Sequence, residues 1–201
     1  MPTPHRRLSD PRELNALAHP VRMGIIELLS LSGPLTATEL ADRLDESPAN
    51  CSWHLRKLAQ YGFVEEAEGG TGRKRPWQVP GLGFSWDEEH ASPTAEERQA
   101  AQALSEVMMG RALDRLREAQ QRMADETPEW REAQHGIETA TWLTAAELAE
   151  MNAAITEVLD RYSERLTEPA QRPPGSRLCE FVAWGVPAYF PGLEATKGEA
   201  S

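Results

Sequence analysis

The chain has 201 residues, 40% of them hydrophobic and 26% charged, with a formal net charge of −11. No apolar run approaches the ~18 residues of a membrane-spanning helix, so no transmembrane helix is expected, and the basic start at His5, Arg6 and Arg7 has no apolar core behind it, so no signal peptide is expected there. Two distant cysteines, Cys51 and Cys179, match no metal or redox spacing and exclude a disulfide framework, so a reduced, cytoplasmic protein is expected.

Residues 1–9 read as disordered. Asp10-Pro11-Arg12-Glu13 then combines an N-cap, a first-turn proline and an acidic third position, with Leu14, Leu17 and Ala18 as the apolar stripe. His19-Pro20 interrupts this helix, because a residue before proline is pushed out of the α region. A second helix restarts at Pro20, turns Val21, Ile25, Leu28 and Leu29 inward, and ends at Gly33-Pro34. Thr36-Ala37-Thr38-Glu39 is a capping box opening a third helix, and Asp45-Glu46 is a tight turn out of it.

Ser47 and Pro48 supply the N-cap and first position of a fourth helix, which Gly62 closes. At about 100° per residue, Cys51, Leu55 and Leu58 fall on one side, with Ala49, Asn50, Trp53, Arg56 and Lys57 on the other. Two short helices joined by so tight a turn, the second with a polar outer face, predict a helix-turn-helix. The period then changes to that of strands. Residues 63–68 and 73–79 flank Gly69-Gly70-Thr71-Gly72, giving a β-hairpin with Arg73, Lys74 and Arg75 beside its turn. Such a wing would place cations on a phosphate backbone; pairing with Glu65, Glu66 and Glu68 across the hairpin is the competing use.

Leu17-Ala-His-Pro-Val-Arg-Met-Gly-Ile-Ile-Glu-Leu-Leu29, Thr38-Glu-Leu-Ala41 and Ser52-Trp-His-Leu-Arg-Lys-Leu58 with Gly62-Phe-Val64, in that order, resemble the ArsR/SmtB-type winged-helix transcriptional regulators over residues 10–82. The resemblance implies a homodimeric, usually repressing, operator-binding protein in which Ala49, Asn50, Ser52 and Trp53 face the major groove. The chain departs from the metal-sensing branch. Thr38 to Asp42 carries no Cys-x-Cys pair, His90 and His135 stand apart, and no cofactor or metal is expected.

Gly81 to Pro93, with its core at residues 83–93, reads as a linker. Thr94-Ala95-Glu96-Glu97 is another capping box, opening a long helix within residues 94–126 whose stripe includes Leu104, Val107, Met108 and Leu116 and predicts a dimer partner. Residues 127–193 read as a small α+β unit. A short helical turn follows Thr127-Pro128, strand-like alternation runs through Glu138 to Leu143, Thr144 to Glu147 caps another helix, and Leu178 to Trp184 is strand-like again. Residues 194–201 read as a loose tail. Trp130, Trp142 and Trp184 suggest an apolar small-molecule effector site in this unit; core or dimer-interface packing is the plainer use.

The fold class expected is therefore α+β, mainly helical: a winged helix-turn-helix, a long helix and a small C-terminal unit. The charge is partitioned accordingly. Residues 1–82 hold 10 Lys+Arg and 10 Asp+Glu, and residues 83–201 hold 11 and 22, so the acidic half must face away from DNA. The function expected is sequence-specific regulation of transcription at a double-stranded operator. Ala49, Asn50, Ser52, Trp53, Arg56 and Lys57 form the recognition face, and Thr36, Thr38, Arg73, Lys74 and Arg75 hold phosphates. The alternative is a winged-helix module that binds protein rather than DNA. No nucleophile–base pair or phosphate-cradling motif points to catalysis.

Overall fold

The computed structural model describes residues 5–8, 10–70, 75–80, 83–86 and 94–191, with the backbone alone at 5–7, 83–86 and 167. Arg73, Lys74, the 194–201 tail and His90 lie outside the described residues. The chain divides into two compact units, residues 1–123 and 124–201.

In the first unit, helices α1 (Pro11–Leu17), α2 (Pro20–Ser32), α3 (Ala37–Leu44) and α4 (Pro48–Ala59) each begin at a residue able to cap them. The Asp10 carboxylate accepts from the Arg12 amide at 2.8 Å, and His19 Nδ1 accepts from the Val21 amide at 3.2 Å. Ser47 Oγ accepts from the Asn50 amide at 3.1 Å. These bonds satisfy amides that an unfinished helix end leaves open. Asp45, at φ 54°, makes the left-handed turn between α3 and α4. Short polar side chains tolerate that conformation.

After Gly62 (φ 71°), Phe63 and Val64 plunge into the core and anchor the wing. The wing pairs β2 (Glu65–Glu66) antiparallel with β3 (Trp77–Gln78), and Trp77 also bridges to Leu35 through bonds of 2.8 and 3.0 Å. The ladder is shorter than the expected strands. Helix α5 (Ala95–Arg122) starts in the capping box at Thr94, Glu97 accepting from the Thr94 amide, and packs on α1 and α2 through Ala100 and Leu104. Leu14, Leu17, Ile25, Leu40, Leu55, Leu58, Phe63 and Leu104 make one continuous apolar core. Arg111 and Arg115 of α5 both donate to Glu27 of α2, at 2.5 and 3.2 Å, and Arg111 also donates to the Pro20 carbonyl.

Two expectations are corrected here. His5–Leu8, within the segment expected to be disordered, forms strand β1, and Gly83–Trp86, within the expected linker, forms strand β4; the two pair in parallel. Leu8 supplies the reason, for it is sealed in the core at 1% exposure and draws its strand in.

The second unit holds α6 (Pro128–Ala133), α7 (Ala145–Asp160) behind the Thr144–Glu147 capping box, and α8 (Glu164–Thr167). The strands expected at 138–143 and 178–184 do not form: those residues are neither helical nor paired in a ladder. A strand is stable only with a partner, and none is offered among the described residues. Nor is any described side chain of residues 124–191 buried.

Candidate nucleic-acid interface

Helix α4 is held from behind by Cys51, Leu55 and Leu58, each 0% exposed, as the helical spacing requires. Its outer surface then follows by geometry: Ala49, Trp53 and Arg56 are exposed, and Asn50, Ser52 and Lys57 are half-buried. Not all of these are uncommitted. Asn50 Nδ2 donates to Glu46 at 2.8 Å, Ser52 Oγ donates to the Pro48 carbonyl one turn back, and the Lys57 ammonium lies 5.4 Å from the Tyr61 ring centre. The structure thus groups six predicted recognition residues on one helix face, with Trp53 and Arg56 standing furthest into solvent.

At the start of α3, Thr36 is part of a complete capping box. Its hydroxyl donates to Glu39 Oε2 at 2.7 Å and accepts from the Glu39 amide at 3.3 Å. The Glu39 carboxyl is held below its ordinary range by the Thr36 amide and then the hydroxyl. Thr38 is exposed. On the wing, Arg75 pairs with Glu66 at 2.7 Å, so the cross-strand use of this cation is realised.

The residues behind α4 include a polar group that helix-face reasoning passed over. His54 is 3% exposed, its ring centre 4.6 Å from that of His19 and 4.8 Å from that of Trp53, which meets it edge-on. Arg22, 9% exposed, donates from Nη2 to the Asn15 carbonyl at 3.0 Å. His54 Nδ1 and Arg22 Nε are buried without hydrogen-bond partners. Burial, then His19 and Arg22, pushes the His54 pKa down, against a smaller pull from Glu46; burial and Arg22 do the same to His19. Burial raises the Cys51 thiol. The sequence did carry the signal: position 54 lies three residues after Cys51 and four before Leu58, on the inward side. Trp53 is explained by the same cluster, since its ring meets the His54 imidazole edge-on.

Of the residues proposed for dimerisation, Leu104 is corrected. It is 0% exposed within its own chain, packed where α5 meets α1, and has no surface to give a partner. Met108 packs against the same core, Val107 is half-buried, and Leu116 is 48% exposed. The outward stripe of α5 is instead Met109, Leu113 and Leu116.

In the second unit, the Arg177 guanidinium sits 4.7 Å over Trp130. A groove of about 360 Å3 beside α7 is lined by Trp184, Phe181, Asn152 and Ile155 among others, but by neither Trp130 nor Trp142. The three tryptophans therefore do not share one pocket. Among the described residues there is no group of three or more His, Cys, Asp or Glu side chains placed to hold a metal, and no helix long and apolar enough to cross a membrane.

Residues 17–67 match a family described as "Helix-turn-helix domain". A solved MarR family regulator from Neisseria meningitidis is 16% identical, with 72% of this chain and 78% of that one covered, but its TM-score of 0.30 is too low to relate the two folds. No curated protein matches the chain. Helices α3 and α4, the hairpin after them and the family match together make the first unit a winged helix-turn-helix, the architecture of DNA-binding transcription regulators.

Proposed function

We propose that the chain is a sequence-specific transcriptional regulator, acting as a homodimeric repressor in the manner of the ArsR/SmtB regulators it resembles. The observation that carries the reading is the outer face of α4, capped at Ser47, fixed by three fully buried side chains and presenting Ala49, Trp53 and Arg56 to solvent. Small and apolar groups suit thymine methyls, and an arginine can meet the O6 and N7 of guanine together. Asn50 reads adenine only by leaving Glu46, so its contribution is smaller than that of Arg56. Thr38, Lys57 and the wing cations Arg73, Lys74 and Arg75 position the backbone, while the Thr36 hydroxyl serves chiefly as a cap. The exposed Met109, Leu113 and Leu116 of α5 meet a second protomer, and a small molecule bound in the second unit would release the operator by favouring a dimer unable to bind it.

The test is titration of operator selected from the source genome, set against random duplex. Arg56→Ala lowers affinity for the operator by about 1–3 kcal/mol and leaves random DNA nearly unaffected. Arg73→Ala weakens both alike and reduces the salt slope by about one phosphate contact. Equal loss on both DNAs for Arg56→Ala refutes base reading. Failure to retard any genomic fragment at moderate salt supports the protein-binding module instead.

A further inference from the structure

We infer that Glu46, which lies before the recognition helix, sets the base preference at that helix's leading end. With Asn50 it forms an edge of hydrogen-bond acceptors that selects cytosine through its exocyclic amine. The inference rests on the reading of α4 as the base-reading helix and names one base that it reads.

The pair is built into the turn. Glu46 and Asn50 are both half-buried, and Asn50 Nδ2 donates to Glu46 Oε2 at 2.8 Å. A carboxylate only accepts, so the bond fixes which way the Asn50 amide is turned and leaves Oδ1, on its other side, as the open acceptor. The backbone is locked at both ends of the pair. The amides of Asp45 and Glu46 both donate to the Ala41 carbonyl, and the Cys51 amide donates to the Ser47 carbonyl at 3.0 Å. Nor does the helix need Glu46 in order to start. Ser47 Oγ already accepts from the Asn50 amide, and Pro48 at the first turn has no amide to satisfy. What the bond does is hold one side chain of the reading face in a single orientation before DNA arrives, which lowers the ordering cost of binding.

The chemistry of that edge selects its base. In a helix-turn-helix, the N-terminal residues of the second helix meet base edges. Asn50 Oδ1 and the second oxygen of Glu46 are acceptors, and they match a donor. In the major groove cytosine shows only its N4 amine, while guanine shows the acceptors N7 and O6 and thymine shows O4 and a methyl. Adenine sets the acceptor N7 beside its amine, which a carboxylate opposes. Glu46 also carries its charge toward phosphate, for among the described residues no Lys or Arg forms an ion pair with it. It therefore weakens binding to every duplex and recovers the loss only where an amine is offered. A repulsion of this kind raises specificity while lowering affinity.

The experiment is titration of every single-base variant of the operator with the full chain and with Glu46→Ala, Glu46→Gln and Arg56→Ala. Asn50 and Arg56 stand about 9 Å apart along α4 at about 1.5 Å per residue, so their base pairs lie within about three steps of each other. The parent prefers cytosine at the Glu46 position by about tenfold. Glu46→Gln, which keeps an acceptor for Asn50 without the charge, loses that preference. Glu46→Ala frees Asn50 and passes the preference to adenine, and adding Asn50→Ala abolishes it. Both Glu46 variants bind random duplex more tightly than the parent, and the base pair read by Arg56 stays as strongly preferred. Unchanged preferences in both Glu46 variants, with Arg56→Ala losing its own, overturn the inference and leave base reading standing. Loss of every preference together in Glu46→Gln marks a displaced helix and also overturns it. Equal loss on operator and random duplex for Arg56→Ala overturns base reading and this inference with it.

Discussion

The histidine pair behind the recognition helix makes the stability of the winged domain depend on pH in a defined window. His54 and His19 both have folded pKa values below the ordinary 6.5, burial being the leading cause. A basic group with a lowered pKa is neutral in the fold while the unfolded chain takes up its proton. The stability is therefore whole above about pH 6.5, falls as pH drops below that value, and stops falling only where the folded pKa is reached. Each such histidine steepens the loss by at most about 1.4 kcal/mol per pH unit, and the pair by at most about 2.7 kcal/mol per pH unit. The groups facing the imidazoles agree with this sign. Arg22 opposes protonation, each histidine opposes the other, and Glu46 offsets them only in part. The carboxylates whose pKa values are lowered, Asp10 and Glu39 in this unit, titrate below this window. The assay is urea unfolding between pH 8 and 5, followed by amide exchange in α4. His54→Leu, close in volume, removes one titration and one unsatisfied nitrogen, so it is neutral or stabilising at pH 8 and halves the slope. Adding His19→Asn, which keeps a capping oxygen for the Val21 amide, flattens the rest. A double variant with the slope of the parent refutes the reasoning.

Two further substitutions test the packing that presents the interface. Leu55→Ala empties a fully buried site at the back of α4 and costs about 2–5 kcal/mol, measured by urea unfolding; a loss under about 1 kcal/mol would mean that the helix is not seated there. Glu27→Gln leaves Arg111 and Arg115 without their shared carboxylate and costs about 1–2 kcal/mol, less in high salt because all three side chains keep some solvent exposure. A variant as stable as the parent at low salt would remove the clamp between α2 and α5 from the list of interactions that hold the first unit together.

What the residues revealed beforehand was whatever is encoded locally. Asp10, Thr36, Ser47, Thr94 and Thr144 were all legible as helix starts, because a cap needs only one side chain and an amide two or three positions on, and all five cap as expected. The faces of α4 were legible for the same reason. Contacts between distant residues were not. Nothing at His5–Leu8 announces a partner some 78 positions later, and only the burial of Leu8 reveals one. Leu104 has the same character as Leu116 in a helical stripe, yet one meets its own chain's α1 and the other solvent. The alternation at 138–143 signals a strand, yet no described residue pairs with it.

The imidazole pair also ties the recognition face to protonation with the opposite sign. Trp53, exposed on the outer face, touches His54 edge-on, so a phosphate backbone brought against α4 lies within about a Debye length of both histidines. Its negative potential favours the protonated rings and raises their pKa values above those of the free protein. Linkage is reciprocal, so whatever operator does to the proton, the proton does to operator. Binding therefore takes up protons below about pH 6.5, and affinity rises as pH falls, while the free domain loses stability in the same direction. Calorimetric titration in two buffers of different ionisation enthalpy measures the proton uptake directly. Uptake that disappears in His54→Leu places the coupling at this ring; uptake unchanged by that substitution, or proton release, would break the link between the helix's buried back and its exposed front.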